Sequence, residues 1–204
     1  MNTDVGLGCC RGRLEDFRRH ILDLRDHDYH GSKSREDRES EFRRQVQLID
    51  PIVQKVLQEF NEEMLRNTGT LDFRAPHRDR EGGIVSLWLL SWPGQREAPR
   101  RVEGLLGPGS DAMPDPVLEE TGDQSIDPII VRAFMSKDGD PGWLHGHLSG
   151  GRHSVNSMWP LNVATDTDAE RQKVAIWAIA EGELHRCTYE VAHAPMTLLP
   201  EVNG

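Results

Sequence analysis

The chain has 204 residues, of which 36% are hydrophobic and 28% charged, and its formal net charge is −10. This length is enough for one well-buried domain, and this composition is that of a globular protein with a polar surface. Because phosphate backbones are bound by basic patches, so acidic a chain is not expected to bind nucleic acid in general.

The sequence carries no sign of a membrane or secretory protein. No run approaches the roughly 18 to 20 apolar residues of a membrane-spanning helix, and the N-terminus lacks the apolar segment of a signal peptide. The cysteines Cys9, Cys10 and Cys187 are odd in number and show no repeated spacing, which argues against a disulfide framework. We therefore expect a cytoplasmic protein without a membrane span.

Two amphipathic helices are predicted at the N-terminal end. Leu14, Phe17, Ile21 and Leu24 recur at steps of three and four residues, which predicts a helix over residues 12–28. A second helical pattern begins near Glu39 and meets Asp50-Pro51, where we expect a kink or a restart. It should end with Gly69 as its C-terminal stop.

From residue 70 onward the pattern changes to that of strands. The stretches "TLDFRA" and "GIVSLWLLSW" predict two strands joined by a turn through Gly82-Gly83. Residues 93–125 are rich in Pro, Gly and Asp, which predicts a long irregular connection. Further strands are predicted in "DPIIVRAFMSKDGDPG" and "HSVNSMWPLNVATDTD".

The last patterned segment has two interpretations. A two-residue turn at Glu181-Gly182 would form a hairpin that places His185, Cys187 and Tyr189 on one strand face. The stretch "DAERQKVAIWAIA" also has helical propensity. The hairpin is favoured, because its register pairs Trp177 with Arg186 and opposite charges with each other.

The order of these elements predicts an α+β fold, in which N-terminal amphipathic helices pack on a mostly antiparallel sheet of five or six strands. A cone-like curvature of that sheet is compatible with this order. Residues 1–11 are expected to be a flexible N-terminus, residues 12–69 a helical segment and residues 70–204 the sheet region, with the last two forming one domain.

Candidate chemistry is concentrated in the glycine-flanked stretch "GWLHGHLSGGRH", residues 142–153. On a strand, His145 and His147 project from the same face, and His153 follows after a flexible return. Three imidazoles can bind a divalent metal such as Zn or Fe and leave a position open for water or substrate. The alternative is a glycine-rich hairpin whose histidines face solvent or are hydrogen-bonded.

Four further residues complete this hypothetical site. Asp140 or Tyr189 is the candidate general acid–base, and Trp143 and His185 are expected to line a substrate pocket at the end of the sheet. The sequence thus leaves two functions open. The first is a small-molecule-binding protein or enzyme with this histidine-rich site. The second is a non-catalytic interaction module whose amphipathic helices dock a protein partner or a second copy of the chain.

Overall fold

The structure is a computed structural model, and it describes residues 5–26, 34–93, 95, 126–137, 146–151, 158–190 and 198. The helices of these ranges are α1 (Val5–Asp26), α2 (Arg35–Leu65) and α3 (Asp166–Glu190). The strands are β1 (Thr70–Arg78), β2 (Ile84–Ser91), β3 (Ile129–Met135), β4 (His147–Ser149) and β5 (Trp159–Pro160).

The five strands form one sheet in the order β1-β2-β3-β4-β5, and each strand pairs antiparallel with the next along the chain. The predicted α+β class with an antiparallel sheet is therefore confirmed. The helices are not all N-terminal, however, because α3 follows the last strand. The region expected to hold only the sheet thus also contains a helix. Most of the predicted connection 93–125 lies outside the described residues.

The turn between β1 and β2 is the predicted one. Gly82 has a φ of +89°, a conformation that residues with a side chain rarely adopt. The Asp79 amide donates to the Gly83 carbonyl at 3.1 Å, and the Asp79 carboxylate accepts from the Gly83 amide at 2.7 Å. The backbone amide and the side chain of Asp79 therefore both stabilise the turn.

Strand β1 carries a β-bulge. Its pairing register with β2 shifts between Arg74 and His77, and Pro76 lies within the shifted part. Proline has no amide to offer a pairing ladder, so a bulge on an outer strand accommodates it. Arg43 of α2 donates to the Pro76 carbonyl at 2.8 Å, which fixes the bulge against the helix.

Helix α2 runs without interruption through Asp50-Pro51, so the predicted restart is wrong. Pro51 deprives one carbonyl of its helical amide partner, that of Gln47, but both residues are exposed and solvent can satisfy it. The Asp50 carboxylate accepts a hydrogen bond of 2.7 Å from the Trp88 indole. The aspartate is therefore an anchor between α2 and β2 rather than a helix cap.

Both ends of α2 differ from the prediction. Ser34 caps its N-terminus by accepting from the Asp37 amide at 3.1 Å. Arg66, in the left-handed conformation with φ of 51°, caps the C-terminus. Gly69 is not the stop: its amide donates to Asn61, and a Cβ there would lie 2.6 Å from the Asn61 Oδ1. The glycine is required by close packing.

The predicted C-terminal hairpin is wrong, since the whole segment forms helix α3. Thr165 and Asp168 make reciprocal hydrogen bonds between side chain and amide, the arrangement of a capping box. A Cβ on Gly182 would meet no described atom within 4 Å, so this glycine occupies an open helix surface and not a turn. Buried residues follow the helical period at Ala169, Gln172, Ala175, Ile176, Ile179, Ala180, Glu183 and Cys187.

The sheet separates two layers. We call the face that packs against α2 and α3 the near face; it contributes Ile84, Trp88, Leu90, Ile129, Val131, Ala133, Met135 and Leu148 to the main core. The opposite, far face carries a smaller cluster of Val85, Leu87, Leu89 and Ile130. Within the described ranges, no helix is long and apolar enough to cross a membrane.

Candidate functional site

Of the three proposed metal ligands, the described part of the chain contains His147. It begins β4, where it pairs with Phe134 of β3 and Pro160 of β5. Its side chain is buried on the far face, and its ring meets that of Phe134 edge-on at a centroid distance of 5.2 Å. His147 thus lies on a strand, which is the condition under which the H-x-H spacing would direct both imidazoles to one face, and its role as a ligand stays a prediction.

Four other members of the hypothetical site fall outside the described residues: Asp140, Trp143, His145 and His153. Their convergence with His147 is therefore untested. Among the residues that the structure does describe, no three or more His, Cys, Asp or Glu side chains form a group that could hold a metal ion.

His185 and Tyr189 lie on α3, one helical turn apart, rather than on a strand as predicted. Their rings contact each other at a centroid distance of 4.4 Å, and Tyr189 is 75% exposed. Cys187, between them in sequence, points into the core and its thiol contacts the Asp127 carbonyl at 3.6 Å. The three side chains therefore do not share a face, because a helix distributes them around its axis.

The far face holds a buried polar group around His147. Arg132 pairs with Ser149 across β3 and β4, and the Arg132 guanidinium lies 4.6 Å from the centre of the Phe134 ring. A cation over an aromatic face is stabilised by the ring quadrupole, more strongly when water is excluded. The Ser149 hydroxyl is fully buried and has no hydrogen-bond partner among the described residues. This set combines a positive charge, an imidazole and a hydroxyl on the same face of the sheet as the apolar cluster of Val85, Leu87, Leu89 and Ile130.

A second buried network ties α3 to the sheet. Arg186 donates to Asp127 at 2.9 Å and to Glu183 at 3.2 Å. Burial raises the pKa of the Glu183 carboxyl, and attraction to Arg186 offsets only part of that rise. A Cβ on Gly150 would lie 2.3 Å from the Glu183 carboxylate, so the glycine is what lets the carboxylate approach the end of β4.

An unexpected surface lies on α1. Leu14 is 69% exposed and Ile21 62%. Phe17 is 37% exposed, although its ring packs against that of Trp159 at a centroid distance of 5.7 Å. We call these three residues the α1 stripe; Leu22, 37% exposed, extends its apolar area. In the described part of the chain, the remaining exposed large hydrophobic residues are scattered singly over other elements: Phe73, Val174 and Tyr189.

The inward side of α1 contains polar groups. His20 and Asp23 are half-buried, and burial lowers the pKa of the His20 imidazole below its ordinary value of 6.5. The sequence pattern identified the stripe as the apolar side of a helix and left open whether the core of this protein or a partner covers it. How much of the apolar side of α1 is covered depends on the packing of the other two helices.

Comparison with protein-family models, with curated proteins and with solved structures finds no match to this chain.

Proposed function

We propose that the protein is a non-catalytic interaction module that binds another protein through α1. The observation that carries this proposal is the contiguous exposure of Leu14, Phe17 and Ile21. Clustered apolar side chains on a soluble domain mark surfaces that another molecule covers, whereas single exposed ones need no explanation. The function rests on this surface and requires no chemistry at the histidines.

The packing of α1 supports the same proposal. None of its described side chains belongs to the buried core, which is built by α2, α3 and the sheet. The stripe therefore contributes little to folding, while its exposure to water is unfavourable by roughly 25 cal/mol per Å² of apolar surface. A partner that covers the stripe would recover this free energy.

A selection experiment tests the proposal while the identity of the partner is still open. The full chain is used to enrich binders from a displayed library of helical peptides with a fixed apolar seam and flanking positions randomised among Glu, Lys and Gln. We expect the wild-type chain to enrich helical sequences and the double variant Leu14→Glu/Ile21→Glu to lose that enrichment.

The matched control is Val174→Glu/Tyr189→Glu, which adds the same two negative charges at exposed hydrophobic positions on α3. It should enrich the same peptides as the wild type, and circular dichroism should show all three proteins folded. Enrichment that survives in the double variant, or that never occurs with the wild type, would overturn the proposal.

The buried polar set around His147 favours a second candidate, a small-molecule or divalent-metal site with His145, His147 and His153 as ligands. Its support is the far-face combination of His147 with Arg132 and the buried Ser149 hydroxyl. Elemental analysis of protein purified without a histidine tag should then find about one Zn or Fe per chain, lost in His147→Ala. If the wild-type protein contained no metal, this result would exclude the divalent-metal site and leave only the small-molecule site.

A further inference from the structure

The α1 stripe has the spacing of a coiled-coil seam. Leu14, Phe17, Ile21 and the half-buried Leu24 alternate steps of three and four residues, and in the sequence Leu7 and Cys10 continue this repeat toward the N-terminus. Apart from Leu22 beside it, the stripe occupies only these two positions of the heptad, so it is narrower than the apolar face of a helix that packs on a broad core. Its width fits the single seam of another helix.

The charges beside the stripe are positive. Arg18 and Arg25 occupy the heptad position next to the seam on its solvent side, and both are exposed. Arg11 stands at the same position one repeat earlier in the sequence. Arg25 has an exposed ion pair of 2.6 Å with Asp26, and such a pair contributes little and can be exchanged. This row of arginines contrasts with the net charge of −10 of the whole chain.

A second copy of the chain fits this surface poorly. In an antiparallel pair of α1 helices, the arginine row of one copy would meet the same row of the other. In a parallel pair, Arg18 would face Arg13 of the second copy, according to the heptad register of the sequence. Like charges in these flanking positions are destabilising in either orientation.

An anionic membrane surface is also a poorer match. Interfacial helices insert a broad apolar face and carry basic residues on the polar side. The exposed charges of α1 are mixed instead: Glu15 and Asp26 lie among Arg18, Arg19 and Arg25. The strong negative charge of the whole chain would add long-range repulsion from anionic lipids.

We propose that the α1 stripe binds an amphipathic helix of another protein whose apolar seam is flanked by acidic residues, which would face Arg18 and Arg25. This inference rests on the proposed function and specifies the chemistry of the partner. Acidic residues opposite the arginines would select the orientation and the partner, and would speed association at low salt.

Two synthetic helical peptides test this inference directly. Both carry the same apolar seam, and they differ only in having Glu or Lys at the flanking positions. Titration of the full chain by fluorescence anisotropy should show the Glu peptide binding at least about tenfold more tightly than the Lys peptide, with the difference shrinking as salt is raised. The variant Arg18→Glu/Arg25→Glu should reverse the preference.

A matched control separates this local effect from net charge. Lys55→Glu/Lys137→Glu changes the net charge by the same amount at exposed positions of α2 and of the segment after β3, and it should retain the preference for the Glu peptide. Equal binding of both peptides, or tighter binding of the Lys peptide, would overturn the acidic partner and leave the proposed function standing. Binding of neither peptide would count against both.

Two further measurements address the other occupants. Sedimentation of the wild-type chain that reveals a dimer, lost in Leu14→Glu/Ile21→Glu, would assign the stripe to a second copy and overturn the inference. Stripe-dependent binding to vesicles of phosphatidylserine and phosphatidylcholine, without peptide binding, would assign it to a membrane surface and overturn it as well.

Discussion

Helices α1 and α2 carry similar apolar patterns in sequence, yet the protein uses them in opposite ways. The apolar side of α2 is buried in the main core, with Phe42, Val46 and Ile49 fully inaccessible to solvent, whereas Leu14 and Ile21 of α1 are largely exposed. An amphipathic pattern thus establishes that a helix has an apolar side. What covers that side depends on the rest of the fold.

The difference has a physical origin in the contacts that anchor each helix. Arg35 of α2 donates to the carbonyls of Ser136 and Gly82, and Arg44 donates to that of Ala164. Together with the Asp50–Trp88 hydrogen bond, these contacts fix α2 across the sheet. Helix α1 packs the Phe17 ring against that of Trp159 on β5, while Leu14 and Ile21 stay largely exposed.

Substitution of a matched pair of isoleucines gives the largest expected effect. Ile49→Ala should lower the free energy of unfolding by about 2–5 kcal/mol, because it removes a fully buried side chain and leaves a cavity. Ile21→Ala should change it by no more than about 0.5 kcal/mol. Urea denaturation followed by circular dichroism measures both. A large loss for Ile21→Ala would mean that α1 is covered in solution and would remove the surface on which both proposals depend.

The hydrogen bond that anchors α2 to β2 is expected to contribute less to the free energy of unfolding than the buried apolar side chains of α2. Trp88→Phe keeps most of the aromatic ring but removes the indole donor to Asp50, so the free energy of unfolding should fall by about 1.5–3 kcal/mol. Asp50→Asn retains an acceptor oxygen and should have a smaller effect in the same denaturation assay. If both variants had the same free energy of unfolding as the wild type, this hydrogen bond would not be one of the contacts that anchor α2 more firmly than α1.

The smallest expected effect is local to α1 and depends on pH. Because burial lowers the pKa of His20, the packed form of α1 disfavours the protonated ring, and its stability should fall as the pH drops below the ordinary value of 6.5. Hydrogen exchange, corrected for intrinsic rates, should show the α1 amides exchanging a few-fold faster relative to those of α2 at about pH 5.5 than at about pH 7.5.

The variant His20→Gln is the control for this measurement, since it cannot gain a proton over that range. In this variant, the exchange rate of the α1 amides relative to those of α2 should not change with pH. An equal response in the wild type and the variant would show that another group controls the packing of α1.

The sequence sufficed to predict the strands β1, β2 and β3 and the turn at Gly82-Gly83, because each depends on local alternation and local backbone chemistry. It failed at α3, where hairpin pairing and helical packing both satisfied the pattern. The signal that could have decided was the capping box of Thr165 and Asp168, directly before the segment. Gly182 misled the prediction because a glycine on an open helix surface has the same local sequence as a glycine in a turn.

The error at α3 also explains why the sequence could not decide whether the apolar side of α1 is buried or exposed. Helix α3 packs beside α2 on the near face, as shown by the Lys173–Glu59 ion pair at 3.0 Å and the Phe60–Trp177 ring contact at 4.5 Å. Because these two helices cover the near face of the sheet, α1 packs beside β5 instead of over the sheet. The candidate histidine site could be predicted only as a cluster along the chain, since spacing in sequence cannot show which side chains meet in space.

The bulge in β1 has a consequence for how the protein behaves at high concentration. Strand β1 forms one border of the sheet, and unpaired strand borders can recruit strands from other molecules and start fibrils. Pro76 offers no amide to an incoming strand, and the shifted register beside it interrupts any continuous ladder. At its bulged end, this border of the described sheet is therefore a poor template for a strand from another molecule.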